Sequence, residues 1–463
     1  MVRVSEMEGG KRFDAEYHSP ENLHVRQVVA ESSFPVRSLG EISESIINFG
    51  AYSLCNSITF QDEGVRFITA REIHENFINW ETARFIPADQ HADLLWKSQI
   101  RKGQVLISMA GRLGVSCVFD ETFACNSSQD VAKITLKAGL NPYYISTFLN
   151  SKFGAAQLLG AQTGSVQQHT NLGIIKTIRV VVLPKLHQER IETLVKRANA
   201  ATEASRSLYA EAQALLAAEL GLDRLDLSES LYSVRRASEV HTSSRADAEY
   251  YRRRYLNLLA YLDEKPHNTL AELATFSGGA TPLGADYLDA GIPFLRIQNV
   301  GENHLVLDDV VCVDQEAHSG LLRRSQLAPR DVLITITGRI GTSAVVPDEL
   351  AQANINQHIV RMRLKSKAVN PYYLAAFLNS VGGKLQTERE AYGTTRDALP
   401  YYCLAKIRVL KADARLQGQI EQVICKADET SRDAKRLLAE AKAEVERMIE
   451  GGAGSDADPF SAA

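Results

Sequence analysis

The chain states one pattern twice. Ser98-Gln99-Ile100, Val105-Leu106-Ile107 and Gly111-Arg112-Leu113-Gly114 return as Ser325-Gln326-Leu327, Val332-Leu333-Ile334 and Gly338-Arg339-Ile340-Gly341, each 227 positions later. Asn141-Pro142-Tyr143-Tyr144 and Phe148-Leu149-Asn150-Ser151 return 229 positions later as Asn370-Pro371-Tyr372-Tyr373 and Phe377-Leu378-Asn379-Ser380. Asp14-Ala15-Glu16-Tyr17 matches Asp247-Ala248-Glu249-Tyr250, and Ile178-Arg179-Val180 matches Ile407-Arg408-Val409. An internal repeat on this scale demands two similar globular units, and the drift of two residues is ordinary loop variation.

Each copy ends in a long helical stretch. From His187 to Leu220, apolar or small residues fall at Ile191, Leu194, Ala198, Ala201, Ser205, Leu208, Ala212, Leu215 and Ala218 or Glu219. Steps alternating between three and four are those of a coiled-coil seam. Pro184 suits the helix start and Gly221 a left-handed cap. Gln417 to Glu450 repeats the pattern with Ile420, Val423, Ala427, Thr430, Ala434, Leu437, Ala441, Glu444 and Met448. A helix of this length is roughly 50 Å long at about 1.5 Å per residue, far more than a connection needs. Two such helices predict an antiparallel coiled coil holding two heads apart.

The expected architecture is therefore α+β, with two similar domains joined and spaced by long helices. Its divisions are a first domain over 1–186, a spacer helix over 187–221, a connector over 222–244, a second domain over 245–415, a second spacer over 416–450 and a disordered tail over 451–463. Met1 to Gly10 reads as a loose leader. Within the first domain the pattern is β-rich, broken by one helix that Asn141-Pro142 opens and Ile145, Phe148 and Leu149 anchor. A net charge of −4 argues against a chain that coats nucleic acid indiscriminately, yet leaves room for local basic surfaces. The six cysteines have no paired spacing, so they predict neither a disulfide framework nor a zinc site and read as small buried hydrophobes or surface thiols. The start of the chain lacks a secretion signal, and no run reaches a membrane span, so the expectation is a cytoplasmic protein.

Two heads at fixed separation suit a bipartite target, such as duplex DNA read at half-sites about 34 Å or one helical turn apart. The chain resembles the specificity subunits of Type I restriction-modification systems. The resemblance rests on the order, met twice, of the Gly-Arg-(Leu/Ile)-Gly turn, the Asn and Gln segment after it, the Asn-Pro-Tyr-Tyr helix and the long helix. It departs where Asn126-Ser127-Ser128-Gln129-Asp130 stands against Asn354-Ile355-Asn356-Gln357-His358. What it implies is a non-catalytic subunit with two target-recognition domains. It would bind double-stranded DNA and two modification subunits, which are adenine-N6 methyltransferases using S-adenosylmethionine. A restriction and translocation subunit would complete the complex. No cofactor is expected in this chain.

The repeat also sorts residues. Features identical in both halves cannot tell two half-sites apart, so they should serve folding or backbone contact, and features that differ are candidates for base readout. Arg112 and Arg339 sit in the shared glycine turn, as phosphate contacts or as solvated arginines. Asn126 with Gln129, and Asn354 with Gln357, should bond within their loops. The unshared stretches supply the candidate readers: Arg71 in the first half against Arg296, Gln298 and Asn299 in the second, and Gln167, Gln168, His169 and Asn171 against Thr394, Thr395 and Arg396. Gln, Asn and Arg carry the donor and acceptor pairs that adenine and guanine present in the major groove. Asn141-Pro142-Tyr143-Tyr144 is close to the Asn-Pro-Pro-Tyr loop of adenine methyltransferases. The missing second proline, the apolar helix it opens, its duplication and the absence of a glycine-rich cofactor turn all argue for scaffold. The scattered histidines, His91, His169, His187, His241 and His358 among them, show neither metal spacing nor a nucleophile to activate. The helices' outer charges, Arg190, Lys196, Arg197, Arg206, Lys435, Arg436 and Glu440, form a solvated face that the family uses for docking modification subunits. Two other readings stay open: a methyltransferase acting within one chain, and a coiled-coil adaptor whose heads bind proteins.

Overall fold

The structure is a computed structural model that describes residues 19–49, 57–159, 169–230, 232–282, 287–393 and 397–451. The leader, Asp14 to Tyr17, Cys55, Gln167, Gln168, Thr394, Thr395, Arg396 and residues 452–463 lie outside them. The chain divides into two compact units: one from the residues up to Thr202 with those from Arg432 on, the other from Glu203 to Ser431. The division cuts through both long helices, so each unit is a head plus half of each helix.

In the first unit a four-stranded antiparallel sheet has the order Ser43–Ile47, Val131–Leu136, Val105–Ser108, Ser116–Val118. The second unit repeats it with Ala274–Gly278, Ile359–Leu364, Val332–Thr335, Ser343–Val345. A three-stranded sheet accompanies each: Arg84–Ile86, Val65–Ile68, Cys125–Ser127 in the first, and Val311–Val313, Ile292–Leu295, Asn354–Ile355 in the second. In both, the last strand joins parallel to the middle one, as Phe67 with Asn126 and Phe294 with Asn354 show.

The helix Pro142–Asn150 opens as expected, with Asn141 Oδ1 accepting from the main-chain N–H of Tyr143 at 2.9 Å. Asn370 does the same for Tyr372 at 2.9 Å ahead of Pro371–Asn379. Tyr144 and Tyr373 are fully buried in the head cores, their hydroxyls donating to the carbonyls of Val181 and Leu410. That burial makes the Asn-Pro-Tyr-Tyr segments scaffold. The expectation of a single helix in the first head was too sparse: Pro20–Ala30, Lys152–Leu159 and Leu172–Thr177 are helical as well. Lys152–Leu159 carries Gly154 in its first turn, which lowers its propensity. The helix forms against Phe148 and Leu149, where a Cβ on that glycine would lie 2.5 Å from the Phe148 carbonyl.

The long helices span Lys185–Leu220 and Ala414–Gly451, and they pair antiparallel. Gly451, expected to begin the tail, is the last residue of the second helix. Gly221 takes the left-handed conformation at φ 67°, as a helix cap requires. In the first unit Ile191, Leu194, Val195 and Ala198 share one core with Leu437, Ala441, Val445, Met448 and Ile449. In the second, Ala212, Leu216 and Leu220 share another with Leu416, Ile420 and Ile424. The seam drifts near its end: Ala218 and Glu219 are exposed and Leu215 half-buried, while Leu216 and Leu220 are buried. The cause is the second head, whose Leu222, Tyr255, Leu258 and Leu262 belong to the same core and draw the helix onto its 3.6-residue face. Ala198, Ser205, Ala427 and Ala434 are small, and each buried methylene contributes only about 0.8 kcal/mol, so the larger apolar gain comes where helix meets head. The connector is partly ordered, with a turn at Leu222–Arg224 and a short helix at Ala237–Ser243.

Candidate nucleic-acid interface

In each head the loops that carry the candidate residues meet at one end of the four-stranded sheet. In the first, the main-chain N–H of Met109 donates to Asp130 O at 2.8 Å, Thr170 N–H to Met109 O at 3.1 Å and Ser128 N–H to Ile68 O at 2.9 Å. Ala110 and His169 pair directly. The same bonds recur in the second: Ile336 N–H to His358 O at 3.0 Å, Leu399 N–H to Ile336 O at 2.9 Å and Asn356 N–H to Leu295 O at 3.0 Å, with Thr337 paired to Ala398. Four loops distant in sequence thus form a rim in each head.

The glycine turn is the fixed part of that rim. Gly111 and Gly114 have φ 71° and 82°, and Gly338 and Gly341 have φ 69° and 85°, values that favour glycine. Gly114 is also a close-approach site, since a Cβ there would lie 2.7 Å from Leu158 Cδ1. The two arginines in these turns are exposed but anchored differently. Arg112 Nη1 lies 3.3 Å from His74 Nδ1, and Arg339 Nη2 donates to Val300 O at 3.1 Å. Each keeps most of its guanidinium donors available for a further acceptor.

The two stretches treated as unshared prove to be one turn with two chemistries. Thr69 caps Ala70–Glu72, with Glu72 Oε2 accepting from Thr69 N–H at 2.7 Å. Arg296 opens Ile297–Asn299, with Asn299 Oδ1 accepting from Arg296 N–H at 2.9 Å. Asn299 is fully buried, and its Nδ2 donates to Val306 O at 2.9 Å, so it holds the turn and presents nothing to a ligand. Its place among the readers is corrected accordingly. Arg296 is half-buried, donating to Asp309 O at 3.1 Å. The exposed position of the turn is Arg71 in one head and Gln298 in the other. At the rim's far side His169 and Asn171 are exposed, and Asn171 Oδ1 is occupied at 3.0 Å by the N–H of Ile174 as a helix cap.

The shared asparagines bond inward, to a segment about 30 residues earlier rather than within their own loops, while Gln357 is exposed with Nε2 3.1 Å from His358 Nε2. Asn126 Nδ2 donates to Leu95 O at 2.9 Å and Ser98 Oγ at 2.7 Å, and its Oδ1 meets His91 Nδ1. Asn354 Nδ2 donates to Leu322 O at 2.9 Å and Ser325 Oγ at 3.0 Å, with Oδ1 at 2.6 Å from His318 Nδ1. Not all the histidines are scattered, then. The signal in the sequence is that His91 and His318 stand 227 positions apart, in register with the repeat.

Among the described residues no group of His, Cys, Asp and Glu is placed to hold a metal, and no helix is long and apolar enough to cross a membrane. Cys117, Cys125, Cys312 and Cys403 are buried, and burial pushes the Cys125 thiol up to about 12, so it is not a nucleophile at neutral pH.

No protein-family model and no curated protein matches the sequence. Solved structures of Type I restriction-modification components match the chain over nearly its whole length. The S subunit from M. genitalium aligns at 12% identity and TM-score 0.43, covering 92% of this chain and 98% of that one. The HsdS subunit from Thermoanaerobacter tengcongensis aligns at 14% identity and TM-score 0.29, covering 91% of this chain and 97% of that one. A structure describing complex assembly and conformational transition of the type I R-M system aligns at 13% identity and TM-score 0.32, covering 91% and 98%.

Proposed function

We propose that the chain is the DNA sequence-recognition subunit of a Type I restriction-modification system, reading a bipartite target with one head per half-site. The observation that supports it is the contrast within the repeat. The rim of each head is built on the same buried bonds, while positions on that frame differ, as exposed Arg71 against exposed Gln298 and exposed His169 against half-buried Ala398. Two readers of unlike sequences on like scaffolds require that division. Arg112 and Arg339, identical in both rims, contact phosphate. Arg71, His169 and Asn171 on one head and Gln298 on the other read bases, with Arg296 contributing from the second rim. Gln167, Gln168, Thr394, Thr395 and Arg396 remain reader candidates by sequence.

In this reading the chain performs no chemistry of its own. It directs two partner adenine methyltransferases, which bring S-adenosylmethionine, and a restriction and translocation subunit, and it works in the cytoplasm. The long helices set the distance between half-sites, and their outer faces take the modification subunits. Sequencing of methylated adenines in the native host, with and without this gene, tests the proposal. A two-part methylated motif that vanishes with the gene is the expected result, and an unchanged methylome overturns it. Methyl transfer from labelled S-adenosylmethionine by the purified chain alone would favour the single-chain enzyme instead.

A further inference from the structure

The two rims differ in one respect that base readout does not explain. On the second head Tyr392, Tyr401 and Tyr402 are 49%, 44% and 58% exposed, a high value for three neighbouring aromatic residues. The hydroxyls of Tyr392 and Tyr402 lie 3.3 Å apart. Lys406 Nζ sits 5.5 Å from the centre of the Tyr402 ring, and it is exposed with no ion pair among the described residues. Tyr401 packs on the end of the strand Ala274–Gly278, where a Cβ on Gly278 would lie 1.8 Å from its hydroxyl oxygen. The glycine is therefore what lets Tyr401 lie there. Beside it Arg324, also exposed, donates to Gly279 O at 3.4 Å, and its own carbonyl accepts from Ser277 Oγ at 2.8 Å. The repeat places Leu172 and Gly173 at the matching positions of the first head, with Thr177 for Lys406. Thr163, outside the described residues, stands for Tyr392 and the exposed Lys97 for Arg324, so the first head shares a cation here but none of the three tyrosines.

The surroundings do not cancel these cations. Asp247 is bound by Arg245 at 2.6 Å and Glu390 by Arg389 at 2.6 Å. Asp397, exposed beside Ala398, is an opposing charge at the patch edge. Ala398 pairs with Thr337, next to the turn that carries Arg339, so the tyrosines continue the same rim.

We infer that Tyr392, Tyr401, Tyr402, Arg324 and Lys406 form a contact for the sugar-phosphate backbone of duplex DNA on the second head, where the three tyrosines and Lys406 replace Thr163, Leu172, Gly173 and Thr177 of the first. Phenolic O–H groups and cations donate to phosphate oxygens without regard to sequence, and a run of such donors fixes register. Beyond the turn arginine that both rims share, the second head gains sequence-independent donors that hold a duplex laid along its rim.

The inference rests on the DNA-reading function, and the test separates the two. The full chain is titrated with a long mixed-sequence duplex over a range of salt, as wild type, Lys406→Ala, Arg324→Ala and the double variant Tyr392→Phe with Tyr402→Phe. The Phe variants keep the rings, and circular dichroism confirms folding. Lys406→Ala and Arg324→Ala should each reduce the salt slope by about one and weaken binding, and the double Phe variant should weaken binding several-fold. Leu172→Ala in the first head should leave binding unchanged, and Asp397→Asn should tighten it. If wild type binds and the second-head variants match it in affinity and slope, the patch is surface only and the inference falls. If wild type fails to bind any duplex, alone or with a partner methyltransferase, the proposed function fails and takes the patch with it.

Discussion

The main-chain N–H of Asn370 donates to Gln417 Oε1 at 2.6 Å, tying the start of a buried helix in the second head to the first turn of the long helix that comes after that head. Asn141 and Gln188 do the same in the first at 2.9 Å. Each glutamine also donates back to its own chain, Gln417 to Ala412 O at 2.9 Å and Gln188 to Leu183 O at 2.7 Å. One turn on, Glu192 and Glu421 accept from the amides of Asn141 and Asn370. Gln188→Ala or Gln417→Ala leaves a desolvated N–H and carbonyl without partners, which costs about 1–3 kcal/mol. Urea unfolding should show a lower midpoint at unchanged slope, and a slope change would mean that the head had loosened from its helix.

Asn354→Leu should be among the most damaging single changes in the second unit. It leaves His318 Nδ1 without its partner in a buried site and removes one of the bonds that Leu322 O and Ser325 Oγ make, and we expect a loss of about 2–4 kcal/mol by thermal unfolding. Gln298→Ala, on the surface of the same head, should stay within about 0.5 kcal/mol of wild type. Equal losses would contradict the division between frame and reader.

Lys133 is wholly buried, its ammonium donating to Lys97 O at 3.0 Å, and burial without a carboxylate brings its pKa down to about 8. The unfolded chain holds that proton up to the ordinary lysine value, so between pH 8 and 10 it binds more protons than the folded chain, and stability gains from this residue as pH rises through that window. Lys133→Met should remove this gain, which chemical denaturation at about pH 7 and about pH 10 would reveal. A persisting gain would assign it to other groups.

Arg71→Ala and Gln298→Ala should each relax specificity at one half-site while sparing the other, at about 1–3 kcal/mol for the affected base. Methylated-adenine sequencing in cells carrying each variant gives the result directly. Simultaneous relaxation of both half-sites would show that these positions do not belong to separate readers.

Inserting one heptad into each long helix should lengthen the preferred gap between half-sites by about 10 Å, or roughly three base pairs. The methylated motif supplies the measurement, and an unchanged gap would show that the helices do not set it.

Much of this is legible in the sequence because duplication acts as an internal control. The glycine turns, the Asn-Pro-Tyr-Tyr caps and the long helices come from residues recurring at fixed intervals, and local physics suffices to place them. The features that sequence alone does not reveal are decided by tertiary contact. Asn299 looks like a reader because amides can pair with adenine, but its partner, the Arg296 N–H, is visible only once the turn is closed over Val306. Leu216 and Leu220 leave the heptad because the second head competes for that face of the helix. Lys152–Leu159 escapes a reading by propensity because its glycine weakens a helix that only packing supplies.

The first unit takes its last wall, Leu437 to Ile449, from residues made after the whole second head. On the ribosome, therefore, the later half of the chain must emerge before the earlier one can close, and until then Ile191, Leu194 and Val195 stand uncovered. Assembly order runs against synthesis order, and that interval of waiting is when this chain is most open to aggregation.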